Sequence, residues 1–442
     1  MRLFAFGSNG SGQLGIGHED DVSTPTQCLF EQPEPSQGSQ ITTVPDESQI
    51  ITIAAGGNHT LLLTTSGSIY AAGCNEDGRC GPHRETKFPN GHESKGNILR
   101  FRQMILSDPI SDTEVSKFKH VSATWEGTIA VASVPRNSDN NVHGDNPTED
   151  RIFVFGSSPK GELGLGKDTV SVTGACIPSF PLPGLRITAL ASGMAHSVAV
   201  LSNGDVYGWG GARKGQLGRE NREAKVAYSP VRICVPFFAE AVACGREFTV
   251  VSGRGQFVVL GDEGNRWGIL NVPESLSLRA GLDDGDGDHL QDGEQGCGGR
   301  GGTIRYRYTS IAASWHGVYV HAAPGLGREE PSISDTKTKS DSDILDGSVV
   351  AWGRNDRGQL PPPNLPPPAK LAVGSEHAIA LLGDARVAAF GWGEHGNCGP
   401  DTNSQGNVSG TYNVISLPEA VGAGAKVVGV GAGCATSWMI AK

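Results

Sequence analysis

Charge is scarce in this 442-residue chain: Asp, Glu, Lys and Arg make up 19% of it, and 47 acids against 36 bases leave a formal net charge of −11. A molecule with that balance repels phosphate backbones, and no run of Lys and Arg offers a local exception, so direct nucleic-acid binding is not expected. Uninterrupted apolar runs near the ~20 residues of a membrane helix are missing, and no membrane partner is expected. The start, MRLFAF, leads straight into a glycine motif, with no apolar signal core or basic targeting tail. Nine cysteines occur without one CxxC pair. Together these features predict reduced thiols, mostly small core residues, in a cytoplasmic protein, with the nucleus also open.

What the chain has is glycine, 63 residues of it. Glycines in that number supply positive φ where strands reverse, which predicts a turn-rich all-β protein. The first glycine cluster, FGSNGSGQLGIG (residues 6–17), contains G-x-G-x-x-G at Gly10–Gly15, the spelling of a dinucleotide site. That site needs a helix next, and GHEDDVSTPTQ is polar and proline-interrupted, so a structural turn is expected. Gly161–Asp168 similarly approaches a P-loop but ends in Asp where a hydroxyl must ligate magnesium. Asp284, Asp286 and Asp288 alternate as in a calcium loop, yet His289 and Gln295 stand where Gly and Glu are needed. Cys74, Cys80 and His83 lack a fourth ligand for zinc. No cofactor, metal or catalytic constellation is predicted, and the chain is not expected to be an enzyme.

The same cluster recurs. FAFGSNGSGQLG is followed by YAAGCNEDGRCG (70–81), FVFGSSPKGELG (153–164), YGWGGARKGQLG (207–218), VVLGDEGNRWG (258–268), VAWGRNDRGQL (350–360) and AFGWGEHGNCG (389–399). A second phrase alternates with it, as in IAAGGNHTLLL (53–63), LASGMAHSVAV (190–200) and LAVGSEHAIAL (371–381); it also has seven copies. Short turns such as Ser66-Gly67 and Asn203-Gly204 join the two phrases into hairpins. Each unit is then a small antiparallel sheet unable to cover both its faces, and radial packing solves that problem.

The chain opens with phrase one and finishes with phrase two, so Thr436–Ile440 is predicted to pair beside Leu3–Phe6. The reading is one domain, 1–442: a seven-bladed β-propeller closed by its own termini. Gly7, Gly73, Gly156, Gly210, Gly261, Gly353 and Gly391 are its structural repeat glycines. Polar stretches at 134–150, 282–302 and 323–346 are predicted to be mobile insertions, and PPPNLPPP (361–368) a stiff extended connection.

The two phrases, G-x-N-x-x-G-Q-L-G and G-x-x-H-[ST], resemble the repeats of the regulator of chromosome condensation superfamily, whose fold is a seven-bladed propeller. Within it, the stretches GIGHEDDVSTP (15–25) and GWGEHGNCGP (391–400) are similar to the fungal alpha-tubulin suppressor branch. That resemblance implies an adaptor in a heterodimer with a small zinc-binding CSL-type protein, supporting diphthamide synthesis and Elongator-dependent modification of wobble uridines in tRNA. Exchange factors of the superfamily supply the alternative, nucleotide exchange on a Ran-like small GTPase. In those, histidines of the second phrase and acids of the first contact the GTPase; here the matching acids are Asp77, Asp356 and Glu394. A ubiquitin-pathway or cytoskeletal scaffold is a third reading.

Candidate partner-binding residues follow from both sources. Trp125 and Trp315, with neighbours Glu126 and His316, lie at loop ends in ATWEG and ASWHG, where tryptophan anchors interfaces. His196 and His377 keep the G-x-x-H pattern, as does His59, and a His repeated in this way also serves to bridge groups inside a blade. Asp356 and Glu394 complete the set. Trp209, Trp352 and Trp392, inside strand phrases, are expected in the core.

Overall fold

A computed structural model describes residues 1–31, 41–45, 48–82, 96–108, 112–135, 148–262, 264–273, 276, 300–303, 310–321, 347–422 and 424–442. The strands fall into seven radial sheets and one two-stranded ribbon, Leu106–Ser107 with Glu114–Val115. Blade 1 comprises Ile50–Ala55, His59–Thr64, Ile69–Gly73 and Ile98–Gln103. Blade 2 comprises Phe118–Ala123, Gly127–Pro135, Thr148–Ser157 and Ser171–Cys176. Blade 3 comprises Ile187–Ser192, His196–Leu201, Val206–Gly211 and Val226–Ile233. Blade 4 comprises Ala241–Cys244, Phe248–Gly253, Gln256–Gly261 and Arg300–Thr303. Blade 5 has three strands, Ser310–Ser314, Gly317–His321 and Val349–Gly353. Blade 6 comprises Pro368–Val373, His377–Leu382, Val387–Trp392 and Asn407–Ile415.

Blade 7 joins the chain ends: Val427–Ala432 and Thr436–Ala441 from the C-terminus pair with Arg2–Gly7 and Val22–Gln27 from the N-terminus. Leu3 faces Ile440 and Phe6 faces Ser437, the closure predicted from the phrase order. The first strand of each blade packs against the first strand of the next, and Val427–Ala432 returns to Ile50–Ala55 to complete the circle. Apolar clusters fill the wedges between blades, which is why the second strands are buried along their whole length. Blade 5 lacks its fourth strand because PPPNLPPP stands in its place, and proline has no N–H to give a ladder.

All seven predicted glycines share one geometry. Their φ values lie between 96° and 122°. A Cβ at any of them would collide with the carbonyl oxygen at the end of the preceding turn, from Ala435 against Gly7 to Glu376 against Gly391. That carbonyl accepts the amide of the residue after the glycine, as in Ser8 N to Ala435 O at 2.8 Å and Trp392 N to Glu376 O at 2.9 Å. Only glycine can hold this left-handed bend and the close approach together.

The insertions are narrower than predicted. Strand pairing runs through Pro135 opposite Thr148, so 134–135 and 148–150 belong to the ladder, and 136–147 lie outside the described residues. Arg300–Gly302, placed in the 282–302 insertion, are strand residues paired with Phe257–Val259. The 323–346 stretch lies outside the described residues, as do His83 and Asp284–Gln295. Among the described residues seven cysteines are free thiols, three of them buried, and Cys234 is disulfide-bonded, against the expectation of reduced thiols throughout.

The base of the long hairpin is held by a buried carboxylate. Asp150, its side chain fully buried, accepts from Lys119 Nζ at 2.7 Å, Arg186 Nη1 at 3.1 Å, Ser133 Oγ at 2.8 Å and Ile187 N at 2.8 Å. Burial pushes its pKa up, but the Lys119 and Ile187 hydrogen bonds outweigh that and hold it below the usual carboxylate range. Asp150→Ala leaves the Ile187 amide unpaired and two partly exposed cations without their partner, and chemical denaturation is expected to show a loss of about 1–3 kcal/mol.

Candidate functional site

The turns after the first strands converge on the axis at one end of the ring. Small residues there, including Gly56, Gly193, Gly245, Gly374 and Gly433, line a central chamber of about 140 Å³. Trp125 of blade 2 and Trp315 of blade 5 reach across it from nearly opposite blades, ring centroids 5.8 Å apart and tilted by 46°. Each is half-buried. Backbone bonds pass from blade to blade around the mouth: Gly57 N to Trp125 O, Trp125 N to Met194 O, Arg246 N to Trp315 O, Trp315 N to Ser375 O and Ser375 N to Gly433 O, all between 2.9 and 3.1 Å. The Arg246 guanidinium stacks 5.3 Å above Trp315.

The tryptophans sit where a histidine has been given up. In G-x-x-H turns the glycine leaves room for the imidazole beneath it: a Cβ at Gly56, Gly193 or Gly374 would strike His59, His196 or His377. In blades 2 and 5 the pair is exchanged, Thr124 with Gly127 and Ser314 with Gly317, and the large side chain stands two residues earlier in the turn and is less buried.

His196 and His377, expected as partner contacts, are fully buried, and His59 is 1% exposed. Each joins two blades. His59 Nε2 meets Thr128 Oγ1 at 2.9 Å, His196 Nε2 meets Thr249 Oγ1 at 3.0 Å, and His377 Nε2 meets Ser437 Oγ at 2.9 Å. Each hydroxyl in turn donates to a loop carbonyl, of Arg79, Gln216 or Asn397. With its proton committed there, the hydroxyl oxygen must accept from Nε2–H, so the three imidazoles are neutral Nε2 tautomers. Burial holds their pKa values down, to about 3 for His59, where the Arg79 charge adds to it, and to about 4 for His196 and His377. These side chains present nothing to a partner, which corrects their assignment.

The first-phrase loops spend their own amides. Asn9 Oδ1 accepts from Leu14 N at 3.0 Å and Gln13 Oε1 from Ser11 N at 2.9 Å, and Ser158 Oγ accepts from Leu163 N at 3.1 Å. With amides of Gly10–Gly15 and Gly161–Asp168 satisfied internally, and no helix following either, both are turns, as predicted. Cys80 Sγ donates to the Cys74 carbonyl, and no metal-binding group of three His, Cys, Asp or Glu occurs among the described residues.

The matched acids are engaged within the chain. Asp77 forms a bidentate pair with Arg79 and accepts from Ser157 Oγ. Asp356, exposed, pairs with Arg354 at 2.7 Å, and Glu394, exposed, accepts from Trp392 Nε1 at 3.1 Å. Trp209 and Trp352 are core residues as predicted, but Trp392 is half-buried, with Arg357 5.4 Å above its ring and His395 at its edge. Glu126 and His316 are half-buried beside their tryptophans.

Sequence reasoning missed a network around His316. Its Nδ1 lies 3.2 Å from the buried Glu376, which also binds Arg354 at 3.0 Å and Gln359 at 2.7 Å. Burial raises the Glu376 pKa, but hydrogen bonds from His316 and Gln359 and the Arg354 charge bring it below its ordinary value. Trp267 lies 6.1 Å from His316 with Arg266 and Arg354 on its ring at 4.8 and 4.6 Å. The available signal was arginine next to tryptophan or at a loop tip, in GRE, NRWG and RNDR. The structure also joins the two stretches that carry the branch resemblance: His395 Nδ1 lies 2.8 Å from Asp21 Oδ2.

Against known proteins, two models described as the regulator of chromosome condensation (RCC1) repeat match, one over residues 2–63 and 203–252 and the other over 50–79 and 187–216. An RCC1 repeat-containing protein of Schizosaccharomyces pombe is 29% identical over 99% of this chain and 98% of its own. The chain carries repeats of the RCC1 type. A mouse secretion-regulating guanine nucleotide exchange factor is 24% identical to this RCC1-repeat chain over 98% of it and 82% of the relative. The Saccharomyces cerevisiae Prp20p structure shares the RCC1 propeller with a TM-score of 0.64, at 19% identity, over 99% of this chain and 90% of that one.

Proposed function

We propose that this propeller is a non-enzymatic adaptor that holds a small protein partner on the loop face around Trp125 and Trp315. The observation that carries the reading is the tryptophan pair itself: two large rings, half-exposed, fixed by backbone bonds from four blades at the centre of a face. Central, rigid aromatics beside arginine are what binding hot spots are made of. The partner we propose is the small zinc-binding CSL-type protein, with the propeller clamping and positioning it in support of diphthamide synthesis and Elongator-dependent tRNA modification. That choice rests on the resemblance of residues 15–25 and 391–400 to the alpha-tubulin suppressor branch. Trp125→Ala with Trp315→Ala is expected to weaken a purified CSL-type protein by about 2 kcal/mol or more, some 30-fold, in titration calorimetry. Unchanged affinity at unchanged circular dichroism would refute it.

Exchange on a Ran-like GTPase is a second reading, favoured by the mouse relative's name. It is weakened by the pairing of Asp77 and Asp356 to neighbouring arginines and the burial of the histidines. Labelled-nucleotide release from a Ran-like GTPase should show no acceleration over background.

A further inference from the structure

The loop face is electrically divided. Blades 3, 4 and 5, consecutive around the ring, place Arg213, Lys214, Arg246, Arg266, Arg354 and Arg357 on it, interrupted by Glu247, Asp262 and Asp356. The remaining blades place Glu19, Asp20, Asp21, Glu76, Glu126 and Glu394 there, with Lys160 and Lys167 of the blade 2 loop among them. A chain of net charge −11 therefore concentrates cations on one half of one face. Of the six, Arg354 is ion-paired; the other five form no salt bridge with a carboxylate among the described residues, although Lys214 and Arg357 act electrostatically on Asp262 and Asp356.

Aromatic rings underlie the cations. Arg246 stacks on Trp315, Arg266 on Trp267 and Arg357 on Trp392, at 5.3, 4.8 and 5.4 Å. A guanidinium held over a ring by this cation–π attraction still has N–H groups to give, and an arginine fork can receive a carboxylate with two parallel hydrogen bonds. Contact with the ring also restricts the side chain in advance, so less rotamer freedom is lost on binding.

We infer that this basic half docks an acidic segment of a protein partner. The inference rests on the loop face being the partner surface and adds the partner's chemistry. A protein carboxylate fits better than a nucleic acid: Glu247 and Asp262 stand inside the cationic arc, and the acidic half lies next to it, so a continuous polyphosphate would meet repulsion within a few residues. Discrete carboxylates can be spaced to meet separate arginines, with a partner's apolar groups resting on Trp315 and Trp267.

The test uses the full chain and a short fluorescein-labelled Glu/Asp-rich peptide with one central tyrosine, read by anisotropy. Binding that weakens with added salt is expected, and at least about tenfold loss in Arg246→Glu/Arg266→Glu, about 1.4 kcal/mol. Glu76→Gln, an exposed acid of the other half, should retain it. Failure to bind the peptide, equal binding by the reversed variant, or stronger binding of a labelled oligouridylate would each overturn the proposal. The CSL-type protein separates it from the adaptor reading. If it binds wild type and the reversed variant alike, the adaptor stands and the acidic docking falls; if it fails to bind while the peptide behaves as expected, the reverse holds.

Discussion

Removing residues 2–7 is expected to abolish the folded ring. Arg2–Gly7 is the third strand of blade 7, paired on one side with Thr436–Ala441 and on the other with Val22–Gln27. Leu3, Phe4, Ala5 and Phe6 are between 0% and 1% exposed and serve the clusters on both sides of the blade. At about 1.5–3 kcal/mol for each of Leu3, Phe4 and Phe6, the lost burial alone amounts to about 4.5–9 kcal/mol. The whole stability of a typical protein is only about 5–15 kcal/mol. Two strand edges would also be left open to aggregation.

The deleted chain should therefore be insoluble, or lack a cooperative melting transition in calorimetry. Because Arg2 faces Ala441, residues 1–7 can be reattached after Lys442 through an Asn-Gly turn, giving blade 7 an ordinary hairpin. That permuted chain should recover a cooperative melt. A deletion that melts like the intact protein would show that the ring is closed by something other than this strand.

The second large effect is acid instability governed by buried imidazoles. The ordinary histidine value of 6.5 is lowered to about 4 in His196 and His377 and to about 3 in His59. The folded-state pKa is depressed for a base, so the unfolded chain binds protons first as pH falls. Stability is complete above about pH 6.5 and declines from there toward about pH 4, by up to about 3 kcal/mol for each histidine. The paired carboxylates, Asp77, Asp150, Asp356 and Glu376, are held below their ordinary values and lose their contribution only at lower pH.

Urea denaturation across the histidine window should show a slope of about three protons per molecule from these residues, to which His120, also lowered by burial, adds. His196→Phe borrows the residue that blade 4 uses in the same place, where Phe248 is 1% exposed. It should cut that slope by about one proton even if the variant is less stable throughout. Parallel slopes for variant and wild type would show that His196 is not one of the titrating groups.

The number of blades, their closure and the glycine at each loop entrance were legible from the chain because they are periodic and local. A bend at φ near 110° with a carbonyl against the Cα excludes every residue but glycine wherever it recurs, so the spelling repeats with the geometry. The same locality exposed Gly10–Gly15 as a turn, since a phosphate cradle needs a helix that the following residues do not form. Trp125 and Trp315 were legible as loop-end residues, but not as partners.

Tertiary structure decided which of these residues meet. A propeller sorts side chains by angle around an axis, so Trp125 touches Trp315 across three blades, and Asp21 pairs with His395 across the chain's closure. It also decided direction: the repeated histidine turns beneath its glycine to bind the next blade's hydroxyl, while tryptophan in the altered copies turns out over the mouth. The division of charge over the loop face belongs to the same level, since composition records only the sum of −11 and the ring arranges where each charge stands.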